Sequence, residues 1–199
     1  MPSLSESAFS LSAWVDESIV VRAGGEPGTY TMAAVVTDNA RCEDLRRELA
    51  NMSIKPGVRL HWVGESMKRR DLIAEAIARM DIAAILTVGT PMERSRQERA
   101  RRCCLERLLY ELDRFGVSEA WLESRRSVQD RRDLHLVDSA RRKCLISKEL
   151  TVRFARPAGE PLLWLPDAVA GAMSAAVLGE ARWLGAMDSV VTIHRVVVR

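Results

Sequence analysis

At 199 residues and 22.3 kDa, the chain is long enough for one well-buried core and short for two full-sized domains, so a single domain over 1–199 is expected. Hydrophobic residues at 47% and charged residues at 29% match a globular protein and not a disordered, fibrous or membrane chain. No apolar run approaches the roughly 18 residues that span a bilayer, and MPSLSESAFSLSAW lacks the basic start and apolar run of a signal peptide, so a cytoplasmic protein with no membrane partner is expected. The net charge of +3 arises from 30 basic and 27 acidic residues that are unevenly placed. Arg94, Arg96, Arg99, Arg101 and Arg102 form one cluster; Arg125, Arg126, Arg131, Arg132, Arg141, Arg142 and Lys143 form another. Such clusters suit a polyanion, because each cation near a phosphate releases a counterion. They also suit a solvated helix face, since Glu93, Glu98, Glu106, Asp130, Asp133 and Asp138 interleave with them and can pair locally.

In chain order, LSAWVDESIVV at 11–21 reads as a strand, followed by the turn AGGEPG and a second, largely apolar strand, TYTMAAVVT at 29–37, placed inside a sheet. Asp38 or Asn39 caps a helix with Leu45 and Leu49 on its apolar face. VRLHWVG at 58–64 reads as a third strand. Ser66 opens a helix to about Met80 with Leu72, Ile73, Ala76 and Ile77 inward, and IAAILTVG at 82–89 is a short buried strand. From Arg94 to Phe115 the spacing predicts an amphipathic helix with Cys104, Leu105, Leu108, Leu109 and Leu112 inside, arginines outside and Gly116 at its end. VSEAWLES is a strand, 129–146 a helix, LTVRFARP a strand, PDAVAGAMSAAVLGEARWL one long helix, and VVTIHRVVVR a final strand. A hairpin followed by alternating helices and strands predicts an α/β fold, a mixed central sheet with helices packed on its faces. Neither GxGxxG nor GxxxxGK[ST] is present, which excludes the commonest nucleotide-binding variants. Cys42, Cys103, Cys104 and Cys144 form no CxxC pair and have no His-rich partner segment, so they read as core or neutral positions.

Three carboxylates sit where charge is costly. Asp16 lies in an apolar strand, Glu123 ends the strand AWLE, and Asp167 heads an apolar helix. A buried carboxylate must be protonated, paired or metal-bound. Asp167 shares a helix face with Ala170, Gly171, Ser174, Ala175 and Leu178, small residues that let the helix approach the sheet. The plainer alternatives are a helix-dipole partner for Asp167, a strand-edge ion pair for Asp16 and surface exposure for Glu123. Glu17 points to the opposite sheet face from Asp16 by strand alternation and is a secondary candidate.

The VDES opening, the strand-ending acid followed by SRRSVQDRRD, and LLWLPDAVAGAM near the end resemble a little-characterised prokaryotic family with a DESG-type opening, assigned to the ribonuclease H-like superfamily. The resemblance covers roughly residues 12–180 and leaves a carboxy-terminal strand at 188–199. It implies a central sheet carrying acids on its first strand, a later strand and a C-terminal helix, which in this chain are Asp16, Glu123 and Asp167. In such enzymes the acids hold one or two Mg²⁺ or Mn²⁺ ions, about 4 Å apart when two are present, which serve phosphodiester cleavage. Two positions depart from the pattern: Ile19 replaces a glycine after Asp-Glu-Ser, and Glu123 stands where aspartate is usual.

The expected function is thus a metal-dependent nuclease or nuclease-like protein acting on DNA or RNA, with Asp16, Glu123 and Asp167 as catalytic metal ligands. Arg125, Arg126, Arg131 and Arg132 are the expected backbone contacts, and His135 is a secondary candidate beside them. The alternatives are a noncatalytic nucleic-acid or protein binding module that retains the fold, working with a larger protein partner, and a self-associating homo-oligomer. His61 and His194 read as structural, and Trp14, Trp62, Trp121, Trp164 and Trp183 as packing residues before base-stacking ones.

Overall fold

A computed structural model describes residues 10–22, 26–53 and 58–198. Its centre is a six-stranded mixed sheet with helices on both faces. The first strand, β1 (Leu11–Val20), turns into an antiparallel β2 (Gly28–Asp38), which pairs in turn with an antiparallel β3 (Ala83–Met92). On the other side of β1, β4 (Val117–Glu123) and β5 (Thr151–Ala155) add in parallel, and β6 (Val191–Val197) lies parallel to β3. The order is β5-β4-β1-β2-β3-β6. As expected from its apolar run, β2 is interior. Within AGGEPG, residues 23–25 lie outside the described residues.

Strand alternation divides the core in two. Trp14, Ala33, Val35 and Leu86 face α1 (Cys42–Met52), α2 (Met67–Ile77), α5 (Trp164–Val177) and α6 (Arg182–Ala186). Ala13, Val15, Met32 and Ile85 face α3 (Gln97–Phe115) and α4 (Ser127–Arg142). The five inward residues expected on α3 are all fully buried, each large apolar side chain contributing about 1.5–3 kcal/mol. The helix ends at left-handed Gly116. Asp38 accepts from the Ala40 N–H at 3.0 Å, and Ser66 caps α2 through Arg69 N–H. Among the described residues, no helix is long and apolar enough to cross a membrane.

Four expectations are corrected. Residues 58–64 form no strand: the segment is irregular to His61, then makes one 3-10 turn, Trp62–Gly64. Its alternation is real, with Leu60 and Trp62 buried and Arg59 and His61 not, but the inward residues bury against the helices on one face of the sheet, Trp62 against Gly171 of α5, and not beside a strand. On α2 the buried face is Ile73, Ala74 and Ile77, and Leu72 is exposed. The arginines of α3 are not all outside, because Arg101 is buried in an ion-pair network. The last long helix breaks at Gly179, whose φ of +102° is the left-handed ending glycine allows; α6 is separate.

Candidate functional site

The chain leaves β1 toward β2 and β3 on one side and builds β4 and β5 on the other, so strand order reverses between β1 and β4. Crevices at carboxyl ends of parallel strands beside such a reversal commonly take ligands. Here β4 stops at Glu123 while β1 runs on to Val20, and their last paired residues are Val15 and Leu122. A cavity of about 270 Å³ opens at this step, lined by Asp16, Glu123, Asp167, Arg59, His61 and Arg125 among others.

The three acids expected to act together therefore share one cavity. Asp16 stands one residue beyond the last β1–β4 pair, beside Glu123, and its Oδ1 accepts the Glu17 N–H at 2.7 Å. Asp167, in the first turn of α5, is nearly buried; its Oδ2 accepts the Trp62 backbone N–H at 2.8 Å and lies 3.1 Å from His61 Nδ1. Burial, then the charges of Glu123 and Asp167 and a hydrogen bond to Glu123, push the Asp16 carboxyl up to about 9, with Arg59 pulling the other way. At neutral pH the Asp16 carboxyl is thus held protonated.

The small residues of α5 let it pack closely on β1 and β2, as expected, and Ser174 adds a hydroxyl that donates to Ser18 on β1 at 2.8 Å. Gly171 has a different use: a Cβ there would lie 2.2 Å from Cδ1 of Trp62, so this notch receives the Trp62 indole. Leu178 is exposed at the helix end. Trp62 is held further by Trp183, edge-on at 5.4 Å, by the Arg70 guanidinium 5.3 Å from its ring, and by Arg70 Nε donating to its carbonyl at 3.0 Å. These contacts fix the irregular 58–64 segment as a wall of the cavity.

On the opposite face of β1, Glu17 meets the expectation from alternation. Its carboxylate accepts the Tyr30 hydroxyl and pairs with Arg101. Arg101 reaches Asp133 at 2.8 Å, and Asp133 also pairs with Arg125 at 3.2 Å, whose Nη1 donates to Glu98 at 2.9 Å. Glu17 lines the cavity, yet its charge is already answered.

The other candidates are dispersed. Arg125 lines the cavity with its guanidinium committed to Glu98 and Asp133, while Arg126, Arg131 and Arg132 are exposed around the start of α4. His135 is exposed on a different groove, between α3 and α4, with Arg102, Arg132 and Lys143; it is not brought to the carboxylates. His194 is on β6, 3.1 Å from Arg107. Trp14, Trp62, Trp164 and Trp183 are buried and Trp121 is partly buried, as packing residues should be. Cys42 and Cys104 are core residues.

Sequence reasoning missed Arg59 and left His61 as structural. The available signal was the alternation in RLHW, which exposes both once Leu60 and Trp62 are inward.

Among the described residues, no three His, Cys, Asp or Glu side chains are gathered closely enough to hold a metal ion as they stand. The donor chemistry of Asp16, Glu123 and Asp167 does suit a hard divalent cation: carboxylate oxygens in a partly buried, like-charged group. No protein-family model matches the chain, and no curated protein matches it.

Proposed function

We propose that this protein is a metal-dependent nuclease-like domain of the ribonuclease H-like type, hydrolysing phosphodiester bonds of DNA or RNA. One observation carries the reading. Asp16 on β1, Glu123 on β4 and Asp167 on α5 meet in one cavity, the first-strand, later-strand and C-terminal-helix placement that the sequence resemblance implies. The three carboxylates would hold Mg²⁺ or Mn²⁺. The chemistry supplied by such an ion is activation of water and stabilisation of the leaving oxygen.

The chain's own part is orientation and charge. The Trp62 N–H fixes Asp167, the register of β1 against β4 sets Asp16 beside Glu123, and the proton held by Asp16 is what a cation would displace. Exposed Arg126, Arg131 and Arg132 lie on α4 or its leading edge, where they can track a phosphate backbone without reading bases. A cytoplasmic location agrees with this reading.

The test is cleavage of mixed labelled DNA and RNA with Mg²⁺, Mn²⁺ or EDTA by wild type, Asp16→Asn and Asp167→Asn. Metal-dependent cleavage lost in both variants is the expected result. No cleavage by folded wild type, with no rise in thermal midpoint on adding Mg²⁺ or Mn²⁺, overturns it. A second reading, a noncatalytic binding module keeping this fold, is favoured by the raised Asp16 carboxyl, whose proton relieves the charge of the group without an ion.

A further inference from the structure

Three arginines line the carboxylate cavity, and they differ in what they are bound to. Arg101 is paired with Glu17 and Asp133, and Arg125 with Glu98 and Asp133. Arg59 has no ion pair with a carboxylate among the described residues. Its one polar contact there is Nη2 to His61 Nδ1 at 3.1 Å; its Nε, like that of Arg125, is buried with no hydrogen-bond partner, but Arg125 has carboxylates on its other nitrogens and Arg59 has none there. The same His61 Nδ1 is 3.1 Å from Asp167 Oδ2. A ring nitrogen either donates its proton or accepts with its lone pair, so Nδ1 can donate to Asp167 or accept from Arg59 but not both. With His61 turned to Asp167, the five-donor Arg59 guanidinium lines the cavity with no acceptor in hydrogen-bond reach among the described residues. Buried unsatisfied donors are rare and mark a place for a missing acceptor. A planar fork of N–H groups matches the non-bridging oxygens of a phosphate.

We propose that Arg59 is the phosphate anchor of this site: its guanidinium binds a non-bridging oxygen of a nucleic-acid backbone phosphate placed beside Asp16, Glu123 and Asp167. This rests on the nuclease-like reading and adds to it a binding residue from the irregular 58–64 wall. Arg59 places a positive charge beside the carboxylate group, opposite in sign to an entering phosphate. Its position fixes which phosphate of a strand lies over the acids, a role the exposed arginines of α4 do not fill.

The experiment is binding of a fluorescently labelled single-stranded oligonucleotide of mixed sequence in EDTA, across a salt series. It compares wild type, Arg59→Ala and Arg59→Lys, and repeats Arg59→Ala in an Asp16→Asn host, with thermal unfolding of each variant. Arg59→Ala is expected to weaken binding by about tenfold and to lower the salt slope by about one, with the same loss in the Asp16→Asn host. Arg59→Lys keeps the slope and loses part of the affinity, because a point charge replaces a fork; should Arg59→Ala not fold, this variant decides, and unchanged affinity overturns the assignment. Equal binding by wild type and Arg59→Ala overturns the anchor and leaves the nuclease-like reading standing. A loss that vanishes in the Asp16→Asn host also overturns it, because Arg59 then acts only through Asp16. No binding by wild type removes the nucleic-acid reading and the anchor with it.

Discussion

Asp16 and Glu17 are neighbours on β1, and the pleat sends them to opposite faces, where two partly buried carboxyls are treated differently. Glu17 is met by a tyrosine hydroxyl and an arginine, and the chain continues through Asp133, Arg125 and Glu98. Asp16 is met by two more acids and is pushed up to about 9. The Glu17 face resolves its charge with fixed cations; the Asp16 face gathers like charges and resolves them with a proton, the feature on which the proposed site rests.

The comparison is broken most forcefully at Asp133. Its side chain and that of Arg101 are 5% and 4% exposed, and removing one partner of a buried pair leaves the other uncompensated, so Asp133→Ala is expected to destabilise by about 3–5 kcal/mol, read as a lower urea midpoint. The Asp16 face should respond in the opposite sense. The Asp16 carboxyl is raised from 3.8 to about 9, so between those values the folded state binds more protons than the unfolded state and stability falls as pH rises. The slope is at most about 1.4 kcal/mol per pH unit. Asp16→Asn is expected to flatten this dependence and to stabilise the metal-free protein at neutral pH, measured by urea unfolding at a series of pH values. A stability loss in Asp16→Asn would place Asp16 with Glu17 as a structural acid.

A smaller effect is expected at the wall. Gly171→Ala drives a methyl into Trp62 and is expected to cost about 1–3 kcal/mol, with a shift in tryptophan emission as the indole is displaced. Smallest is His61→Ala. Its side chain is 49% exposed in its contact with Asp167, so the loss in thermal stability should stay under about 1 kcal/mol. A larger loss would mean that His61 supports the wall as Trp62 does.

Much of this was legible in the chain. The hairpin, the leucine face of α3 and the Asp16/Glu17 alternation follow from period and side-chain type, because each is decided within a few residues. Asp16, Glu123 and Asp167 could be singled out as acids in apolar surroundings. Arg101 was not separable from its neighbours Arg99 and Arg102 by sequence, since its burial depends on Glu17 and Asp133 arriving from other elements. Residues 58–64 misled for a related reason: alternation reports that one side is buried, and Trp62 buries against a helix notch as well as it would against a sheet. What was missed is nonlocal, a matter of which partners other elements bring.

The position of that wall has a consequence for how such a site can diversify. Strands β2 and β3 are antiparallel neighbours that a short turn could join, yet the chain between Asp38 and Ala83 makes an excursion carrying α1, the wall and α2. Arg59 and His61 come from this excursion, whereas Asp16, Glu123 and Asp167 belong to the strands and helix around it. Outside buried anchors such as Leu60 and Trp62, a connection of this kind accepts changes in sequence at little cost to stability. The cavity-facing positions on this side, Arg59 and His61, can thus be rewritten while the carboxylates and the ion network behind them stay as they are.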